Sequence, residues 1–312
     1  ERDWSSDVCS SDLYYLMNRV ASVIKLDYAR KQGLTGKNVG IAVMDTGISP
    51  HPDIVYNDGP FVSFFDTINH QNRLYDDNGH GTHVAGIIAG NGMMSNKLYE
   101  GIAPDCKLHI IKILDKNGEG NIKNVMSGIN WLLKNKDKYN IRIVNISVGS
   151  VSIKKFDENS PLVRSINTLW EAGLIVVTAA GNNGPADYTI GAPGNSRKII
   201  TVGTSDTVFG RLSHDFSGRG PTSNCIKKPD IVAPGLNIIS CNNKTTPALY
   251  IPRSGTSMST PIVSGCIALL LEKFPYMTNK DVKLHLKRNG INLKLPHTKQ
   301  GWGLIRCDTL LR

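Results

Sequence analysis

Two histidines three positions apart stand in the segment NGHGTHVAG, residues 78–86, with glycine on both sides of the first. Histidine serves proteins as a proton acceptor near neutral pH and as a metal ligand. His80 and His83 are therefore candidates for a metal pair, a buried structural pair, or one catalytic base beside a packed neighbour. The segment alone leaves these alternatives open, so partners elsewhere in the chain must decide between them.

A candidate nucleophile, Ser257, stands in SGTSMSTP, residues 254–261, at the start of a long apolar stretch that predicts a buried helix. The first turn of a helix offers free backbone N–H groups and the positive end of the helix dipole, which favour a developing oxyanion. A serine in this position is more often a helix cap than a nucleophile. Ser257 gains catalytic meaning only if a base and an orienting carboxylate accompany it.

His80 and Asp45 are the candidate base and carboxylate. His80 lies in a glycine-flanked turn that enters a second helical pattern, and Asp45 ends the buried stretch VGIAVMD, residues 39–45. A hydroxyl, an imidazole and a carboxylate in series form the proton relay of serine hydrolases. An aspartate at a strand end is by itself usually a solvated turn residue, so only the combination is informative.

Four segments resemble the signature blocks of the subtilases, the subtilisin-like serine peptidases. They are VMDTGI around Asp45, GHGTHVAG around His80, AAGNNG around Asn182 and GTSMSTP around Ser257. Their order along the chain is the family's own. The resemblance extends from Val23 to the C-terminal region that contains GWGL, residues 301–304, and it is strongest to the short bacterial members.

The resemblance implies a serine endopeptidase of broad specificity that works through an acyl-enzyme. Ser257 would attack the scissile carbonyl, His80 would take the serine proton, and Asp45 would hold the imidazole in place. The side-chain amide of Asn182 and the backbone N–H of Ser257 would hold the oxyanion. In this interpretation His83 is a packed residue of the helix that follows His80.

The resemblance also implies a cleft that pairs with the backbone of an extended peptide through residues 117–122 and 146–150. The predicted substrate-binding residues are Gly118, Gly120, Ile122, Ser147, Val148, Gly149, Ala180, Gly181 and Gly191. Small residues around the first pocket favour a large apolar side chain before the scissile bond, the P1 residue. Ser150 and Ser259 depart from the glycine and alanine usual in the family, and we expect Ser150 to narrow the cleft edge.

Three segments could be interpreted as metal sites, but each lacks ligands that the metal requires. His80 and His83 lack the i, i+4 spacing and the glutamate of zinc peptidases. Residues 115–126 begin like an EF-hand loop, but Met126 stands where a bidentate carboxylate is required. Asp53 matches a position that binds calcium in some subtilases, although one carboxylate is not a complete ligand set. We therefore predict no metal and no cofactor, with calcium left as the alternative.

Five short apolar stretches predict strands that are buried on both faces. They are residues 39–45, 108–114, 141–148, 174–180 and 199–204. Helical patterns alternate with them, one starting at the N-cap Asn121 and another at Ser160, followed by Pro161 and ending at Gly173. This order predicts a three-layer α/β fold, subtilisin-like, with a doubly wound, mostly parallel sheet flanked by helices. Residues 14–312 are predicted to form a single domain.

The composition limits the classes of partner. The chain has 312 residues and a net charge of +10, but its 36 lysines and arginines are scattered without a long basic run. We therefore expect polypeptide substrates and no nucleic-acid partner. No apolar stretch reaches the roughly 20 residues of a membrane span, so we expect no membrane partner. We expect the chain to be a monomer.

The first thirteen residues are set apart. The segment DWSSDVCSSDL, residues 3–13, back-translates to a common sequencing adapter, so residues 1–13 are interpreted as an assembly artefact. The five cysteines outside this segment, out of six in all, have no regular spacing. Their odd number argues against a disulfide framework. It favours a cytoplasmic over a secreted location only slightly, and the location stays unassigned.

Two other function classes compete with a peptidase. An esterase on an α/β-hydrolase fold requires a G-x-S-x-G elbow and the order Ser, Asp, His, whereas here the serine comes last. A peptide-binding module without activity predicts the loss of a triad residue, and Asp45, His80 and Ser257 are all present. The sequence therefore favours a serine endopeptidase, with an esterase-like serine hydrolase as the alternative.

Overall fold

The computed structural model describes residues 17–55, 61–147, 160–206, 215–244 and 248–312. Its strands are β1 (Gly40–Asp45), β2 (Phe61–Asp66), β3 (Lys107–Lys112), β4 (Ile141–Ile146), β5 (Ile175–Ala179), β6 (Ile200–Thr204), β7 (Ile231–Ala233), β8 (Ile238–Cys241) and β9 (Tyr250–Arg253). Its helices are α1 (Met17–Val23), α2 (Leu26–Lys31), α3 (Pro52–Val55), α4 (His80–Ala89), α5 (Ile122–Asn135), α6 (Pro161–Glu171), α7 (Thr256–Lys273), α8 (Asn279–Asn289), α9 (His297–Gln300) and α10 (Cys307–Leu310). A 3₁₀ turn spans Met93–Ser95.

Seven strands form one parallel sheet in the order β2-β3-β1-β4-β5-β6-β7. Strands β2 and β3 lie on one side of β1 and the others on its opposite side, so the direction of winding reverses at β1. Open α/β sheets bind ligands at the carboxyl ends of the strands beside such a reversal. Asp45 ends β1 and Ser147 follows β4, which puts both residues at this point.

Strands β1, β3, β4, β5 and β6 confirm the five strands predicted from the apolar stretches, with ends that differ by one or two residues. The sequence did not predict β2, β7 or the antiparallel hairpin of β8 and β9. Strand β7 has three residues, too few for a pattern. Strand β2 is a half-buried edge strand, where aromatic residues follow no clean alternation.

Helix α7 is the buried central helix that carries Ser257 as its second residue. Every residue from Met258 to Leu271 is buried, in agreement with a sequence that is apolar or small all round. The helix packs against β4, β5, β6 and α4. Because the whole helix is enclosed, its packing fixes the backbone position of Ser257.

Helices α5 and α6 begin where their capping residues predict. The Asn121 side chain accepts a hydrogen bond from the Asn124 backbone N–H at 3.0 Å. The Ser160 hydroxyl accepts one from Val163 at 3.4 Å. Ile122 is 37% exposed, because the first turn of α5 extends beyond the core that Ile129 and Leu132 fill.

The predicted fold class, an α/β fold with a mostly parallel, helix-flanked sheet, is confirmed. Buried apolar residues from α1 to α10 form one core cluster around the sheet and α7. Among the described helices, none is both long enough and apolar enough to cross a bilayer.

Candidate active site

Asp45 and His80 form a close pair at the end of β1. Asp45 is fully buried, and its Oδ1 lies 2.7 Å from Nδ1 of His80. The backbone N–H of Thr46 donates to the same oxygen at 2.8 Å. Because a carboxylate only accepts hydrogen bonds, Nδ1 of His80 carries the shared proton and the lone pair of the neutral ring is at Nε2. The pair has the geometry of a general base oriented by a carboxylate.

Opposing effects set the pKa of His80. Burial lowers this pKa, because the imidazolium loses hydration, but the charge and the hydrogen bond of Asp45 raise it by more. Among more distant charges, Arg253 lowers the pKa of His80 and Asp76 raises it. The net pKa lies above the usual 6.5 of histidine, and 19% of the side chain remains exposed.

The two glycines around His80 are required by close packing. Gly79 precedes α4 with φ +96°, a left-handed conformation that glycine adopts without strain. A Cβ on Gly81 would lie 2.3 Å from the carbonyl oxygen of Gly47 and 3.3 Å from Cβ of Asp45. Any larger residue at position 81 would therefore separate α4 from β1 and pull His80 away from Asp45.

A buried carboxylate, Asp76, holds the first turn of α4. Its Oδ1 accepts hydrogen bonds from the Gly79 N–H at 2.8 Å and the Thr46 hydroxyl at 2.9 Å. Its Oδ2 accepts from the N–H and the hydroxyl of Thr82 at 2.9 and 2.7 Å. Asp76 thus caps a helix whose own N-cap residue has no side chain, and it ties that helix to the residue after Asp45.

A fully buried lysine, Lys112, joins the same two segments. Its Nζ donates to the backbone oxygen of Thr46 at 2.5 Å and to Oδ1 of Asp77 at 2.7 Å. The ammonium group also lies 4.8 Å from the centre of the Tyr75 ring. Sequence reasoning missed both Lys112 and Asp76. A lysine inside the apolar stretch LHIIKIL, residues 108–114, was the available signal.

Ser257 departs from the expected hydrogen bond to His80. Its hydroxyl donates to the backbone oxygen of Ser147 at 2.5 Å. The helix-cap alternative is wrong, because the N-cap of α7 is Gly255 and the Ser257 hydroxyl donates to Ser147 instead. His80 and Ser257 line one cavity of about 310 Å³. Rotation about the Cα–Cβ bond of Ser257 is therefore needed before its proton can pass to the imidazole.

Asn182 is held in a single orientation by Thr256. The backbone N–H of Thr256 donates to Oδ1 of Asn182 at 2.9 Å, and the Thr256 hydroxyl lies 3.0 Å from the same oxygen. That hydroxyl also accepts from the Gly181 N–H at 3.2 Å, so its own proton is directed to Asn182. The amide NH₂ of Asn182 is then the remaining donor of a side chain that lines the cavity. Sequence reasoning missed this role of Thr256.

Most predicted site residues come together around this cavity. Those that line it are His80, Gly118, Ser147, Gly181, Asn182, Gly191 and Ser257. Asp45 lies behind His80 and is not in the lining, as its full burial requires. Thr46, Asn78, Leu114, Ala179, Asn183 and Thr256 complete the lining.

Three predicted substrate-binding residues do not line the cavity. Gly120 lies against the residue that follows β3, where an added Cβ would lie 2.5 Å from the Ile113 carbonyl oxygen. Ala180 is buried in the wall, and its carbonyl accepts the Gly191 N–H at 2.9 Å. Ile122 stands exposed at the start of α5. Val148, Gly149 and Ser150 lie outside the described residues.

His83 differs from His80 in every contact. It is fully buried, and its Nε2 lies 3.0 Å from the backbone oxygens of Ile238 and of Ile251. Burial, followed by the nearby Arg253 charge, lowers the pKa of His83 to about 3. A neutral imidazole bonded to the β8–β9 hairpin is a structural residue, as the sequence predicts, and it does not pair with His80 around a metal.

One group of possible metal ligands lies among the described residues, namely His51, Asp53 and Cys241. The Asp53 oxygens accept hydrogen bonds from the Met94 N–H at 2.9 Å and the Tyr250 hydroxyl at 2.6 Å. The two ring nitrogens of His51 lie 3.1 Å from the Asp53 N–H and 3.0 Å from the Leu249 oxygen. Calcium takes six to eight oxygen ligands, so a thiol, an imidazole and one occupied carboxylate do not fit it.

Comparison with known proteins identifies relatives along most of the chain. Serine protease AprX of Bacillus subtilis (strain 168) is 42% identical over 279 residues, which cover 83% of this chain and 62% of AprX. The chain thus spans less than two thirds of the length of that relative. Subtilisin Savinase of Lederbergia lenta is 34% identical over 291 residues, which cover 93% of this chain and 97% of Savinase.

A solved structure and a family model place the chain among the same kind of proteins as these relatives. The solved structure of Sphericase superposes with a TM-score of 0.75 at 27% identity, covering 92% of this chain and 96% of that one. The family model of the subtilases matches residues 36–303. The matched region contains the Asp45–His80 pair, Asn182 and Ser257, and it covers most of the chain. The chain therefore belongs to the subtilase family.

Proposed function

We propose that this chain is a serine endopeptidase that cleaves polypeptides through an acyl-enzyme, with Asp45, His80 and Ser257 as its triad. The observation that carries the proposal is the 2.7 Å contact between Asp45 and His80, beside a serine that lines the same cavity as the imidazole. Family membership supports it, since the relatives are named serine proteases and subtilisins.

The reaction begins when the Ser257 hydroxyl turns from the Ser147 oxygen to Nε2 of His80. The imidazole takes the hydroxyl proton as Oγ forms a bond to the scissile carbonyl carbon. The imidazolium then gives this proton to the leaving nitrogen as the carbon–nitrogen bond breaks. Water attacks the acyl-enzyme with His80 again as the base, which releases the acid and restores the serine. Asp45 stays ionised and stabilises the imidazolium throughout.

The oxyanion that forms at the carbonyl oxygen of the substrate has two proposed hydrogen-bond donors. One is the amide NH₂ of Asn182, whose Oδ1 is held by two hydrogen bonds from Thr256. The other is the backbone N–H of Ser257, which lies in the first turn of α7, where N–H groups have no partner four residues back within the helix. Preorganised donors of this kind stabilise the transition state more than the planar substrate.

The shape of the cavity supports a preference for a large apolar P1 residue. Gly181, Gly191 and Ala179 line it, so little side-chain volume fills the pocket. The Gly191 N–H bonds to the Ala180 oxygen at 2.9 Å, which holds the two walls together. We expect cleavage after Phe, Tyr, Leu and Met in a peptide library. A profile dominated by Asp, Glu or Gly at P1 would contradict this assignment.

Peptide hydrolysis by two matched serine variants tests the activity. We expect Ser257→Ala to lower kcat by about 10⁶-fold, a size of loss known for the equivalent change in subtilisin. Ser259→Ala is the control, because Ser259 lies on the same helix but donates to the backbone oxygens of Ala233 and Pro234 at 3.0 Å. Equal hydrolysis by the parent chain and Ser257→Ala would contradict the proposal.

A further inference from the structure

An arginine that has no hydrogen-bond or ion-pair partner among the described residues stands beside the candidate base. Arg253 ends β9, four residues before Ser257. Its Nη2 lies 3.1 Å from the position that a Cβ on Gly79 would occupy, and Gly79 directly precedes His80. The guanidinium is also close enough to lower the pKa of both His80 and His83. Arg253 therefore lies against the turn that carries the base, beside the cavity that His80 and Ser257 line.

The donors of Arg253 are unused within the described part of the chain. No hydrogen bond or ion pair joins Arg253 to another described residue, and its Nε is buried without a partner. Other arginines differ in this respect. Arg142 donates to two backbone oxygens, and Arg306 pairs with Asp308. A partly buried guanidinium with free donors is suited to a carboxylate, which it can bind through two parallel hydrogen bonds.

The chemistry of cleavage indicates which half of the substrate Arg253 faces. His80 must give its proton to the leaving nitrogen, so the residues after the scissile bond lie on the His80 side. In the proposed mechanism the P1 pocket and the oxyanion donor, at Gly191 and Asn182, hold the part of the substrate before the scissile bond. Because Arg253 contacts the turn that carries His80, its guanidinium faces the leaving half of the substrate.

We propose that Arg253 binds a carboxylate of the leaving half of the substrate, so that the chain prefers Asp or Glu in the first two residues after the scissile bond. The inference rests on the proposed peptidase function and adds a substrate preference to it. No motif predicts this preference, because position 253 lies just outside the GTSMSTP segment and gains its meaning from contact with Gly79.

The net charge of +10 could attract acidic peptides without any dedicated site, so the test must separate a local from a global effect. Arg288→Gln is the matched control. Arg288 is exposed on α8, which contributes no residue to the cavity lining. Arg253→Gln and Arg288→Gln remove the same charge, but only the first removes it beside His80.

The experiment compares two fluorogenic peptides that differ only by Glu or Gln at the first or second position after the scissile bond. For the parent chain and Arg288→Gln, we expect kcat/KM to be about three- to tenfold higher for the Glu peptide at low salt. The ratio should fall toward one in Arg253→Gln and remain partly in Arg253→Lys. High salt should also reduce it, because ions screen a partly exposed charge pair.

A Glu-to-Gln ratio near one in the parent chain at both positions would overturn the inference, as would an unchanged ratio in Arg253→Gln. An equal drop in Arg288→Gln would also overturn it, because the effect would then be global. These results differ from a failure of the proposed function. If the proposed peptidase function is wrong, the parent chain cleaves neither peptide and behaves like Ser257→Ala. That result overturns both the peptidase function and the preference assigned to Arg253.

Discussion

At the scale of single residues, the site contains two histidines with opposite environments. His80 bonds to a carboxylate, which raises its pKa despite burial, whereas His83 bonds only to backbone oxygens and has its pKa lowered to about 3. The two residues are three positions apart on one helix. Their partners, and not their spacing, make one a candidate base and the other a structural residue.

The raised pKa of His80 predicts the pH dependence of hydrolysis. A base must be neutral, so we expect the acid limb of kcat/KM to lie above about pH 6.5. Asp45→Asn removes the group that raises the pKa, so the limb should move to lower pH while kcat falls. The measurement is kcat/KM from pH 4 to 9 for both proteins. An acid limb that is unchanged in Asp45→Asn would contradict the assigned pair.

His83 predicts a loss of stability in acid. Its folded pKa of about 3 lies below the unfolded value near 6.5, so the unfolded chain takes up a proton that the folded chain refuses. The contribution of His83 to the free energy of unfolding is therefore fully present above about pH 6.5 and is lost as the pH falls toward 3. Between pH 6.5 and pH 4.5 the proton uptake at His83 lowers the free energy of unfolding by about 2–3 kcal/mol.

The test for His83 is urea unfolding at these two pH values, with Ser257→Ala as the parent to prevent self-cleavage. We expect His83→Asn to lose the His83 share of the acid sensitivity and to be less stable at pH 7, because buried hydrogen bonds are lost. His51 and His109, whose pKa values are also lowered, contribute equally to both proteins. The same pH dependence with and without His83 would contradict the assignment.

Residue-level chemistry was predictable where it is concentrated in short segments. Asp45, His80, Asn182 and Ser257 each stand in a recognisable block. The roles of Asp76, Lys112 and Arg253 were not predictable, because each depends on which loop meets which strand. The Ser257 hydrogen bond to Ser147 was also missed, since it joins residues that are 110 positions apart.

At the scale of elements, the site is a junction of β1 with the first turns of α4 and α7. Asp76 and Lys112 connect the segment after β1 to the turn before α4. The Asp45 end of β1 stands in register with Lys112 at the end of β3. The sequence predicted the strands and the helix starts from local patterns, but such cross-links between elements have no local pattern.

Asp76→Asn should disturb this junction without touching substrate. In this variant an NH₂ group replaces one carboxylate oxygen. The NH₂ group cannot accept the hydrogen bonds that Gly79 or Thr82 donates to that oxygen, so at least one hydrogen bond is lost. We expect a loss of about 1–3 kcal/mol of unfolding free energy and a lower kcat with little change in KM.

The control for Asp76 is Asp137→Asn, which changes an exposed surface ion pair whose aspartate side chain is 88% exposed. This variant should keep both stability and kcat. Chemical unfolding in the Ser257→Ala background and peptide kinetics in the active protein give the two readouts. Identical behaviour of the Asp76 and Asp137 variants would show that Asp76 does not position α4.

At the scale of the whole molecule, the core cluster and the seven-stranded sheet position residues from distant parts of the chain. The N-terminal and C-terminal helices meet, with the Cys307 N–H donating to the Ile24 oxygen at 2.7 Å. The five described cysteines are free. We propose that this core is stable without a metal and acts as a monomer, which sedimentation analysis would test for the oligomeric state.

Chelation tests the proposed independence from metals. The Asp53 carboxylate is already held by Met94 and Tyr250, so we expect EDTA to change Tm by less than about 2 °C. Asp53→Ala should lower the unfolding free energy by about 1–3 kcal/mol, because two donors lose their acceptor. A fall in Tm of more than about 5 °C in EDTA, restored by calcium, would contradict this proposal.

Covalent labelling by a fluorophosphonate probe, followed by intact-mass measurement and peptide mapping, tests most directly whether Ser257 is the nucleophile that His80 activates. We expect one adduct per chain, located on Ser257, absent in Ser257→Ala and formed far more slowly in His80→Ala. Labelling that persists in Ser257→Ala, or an adduct mapped to another serine, would contradict the assignment of Asp45, His80 and Ser257 as one catalytic unit.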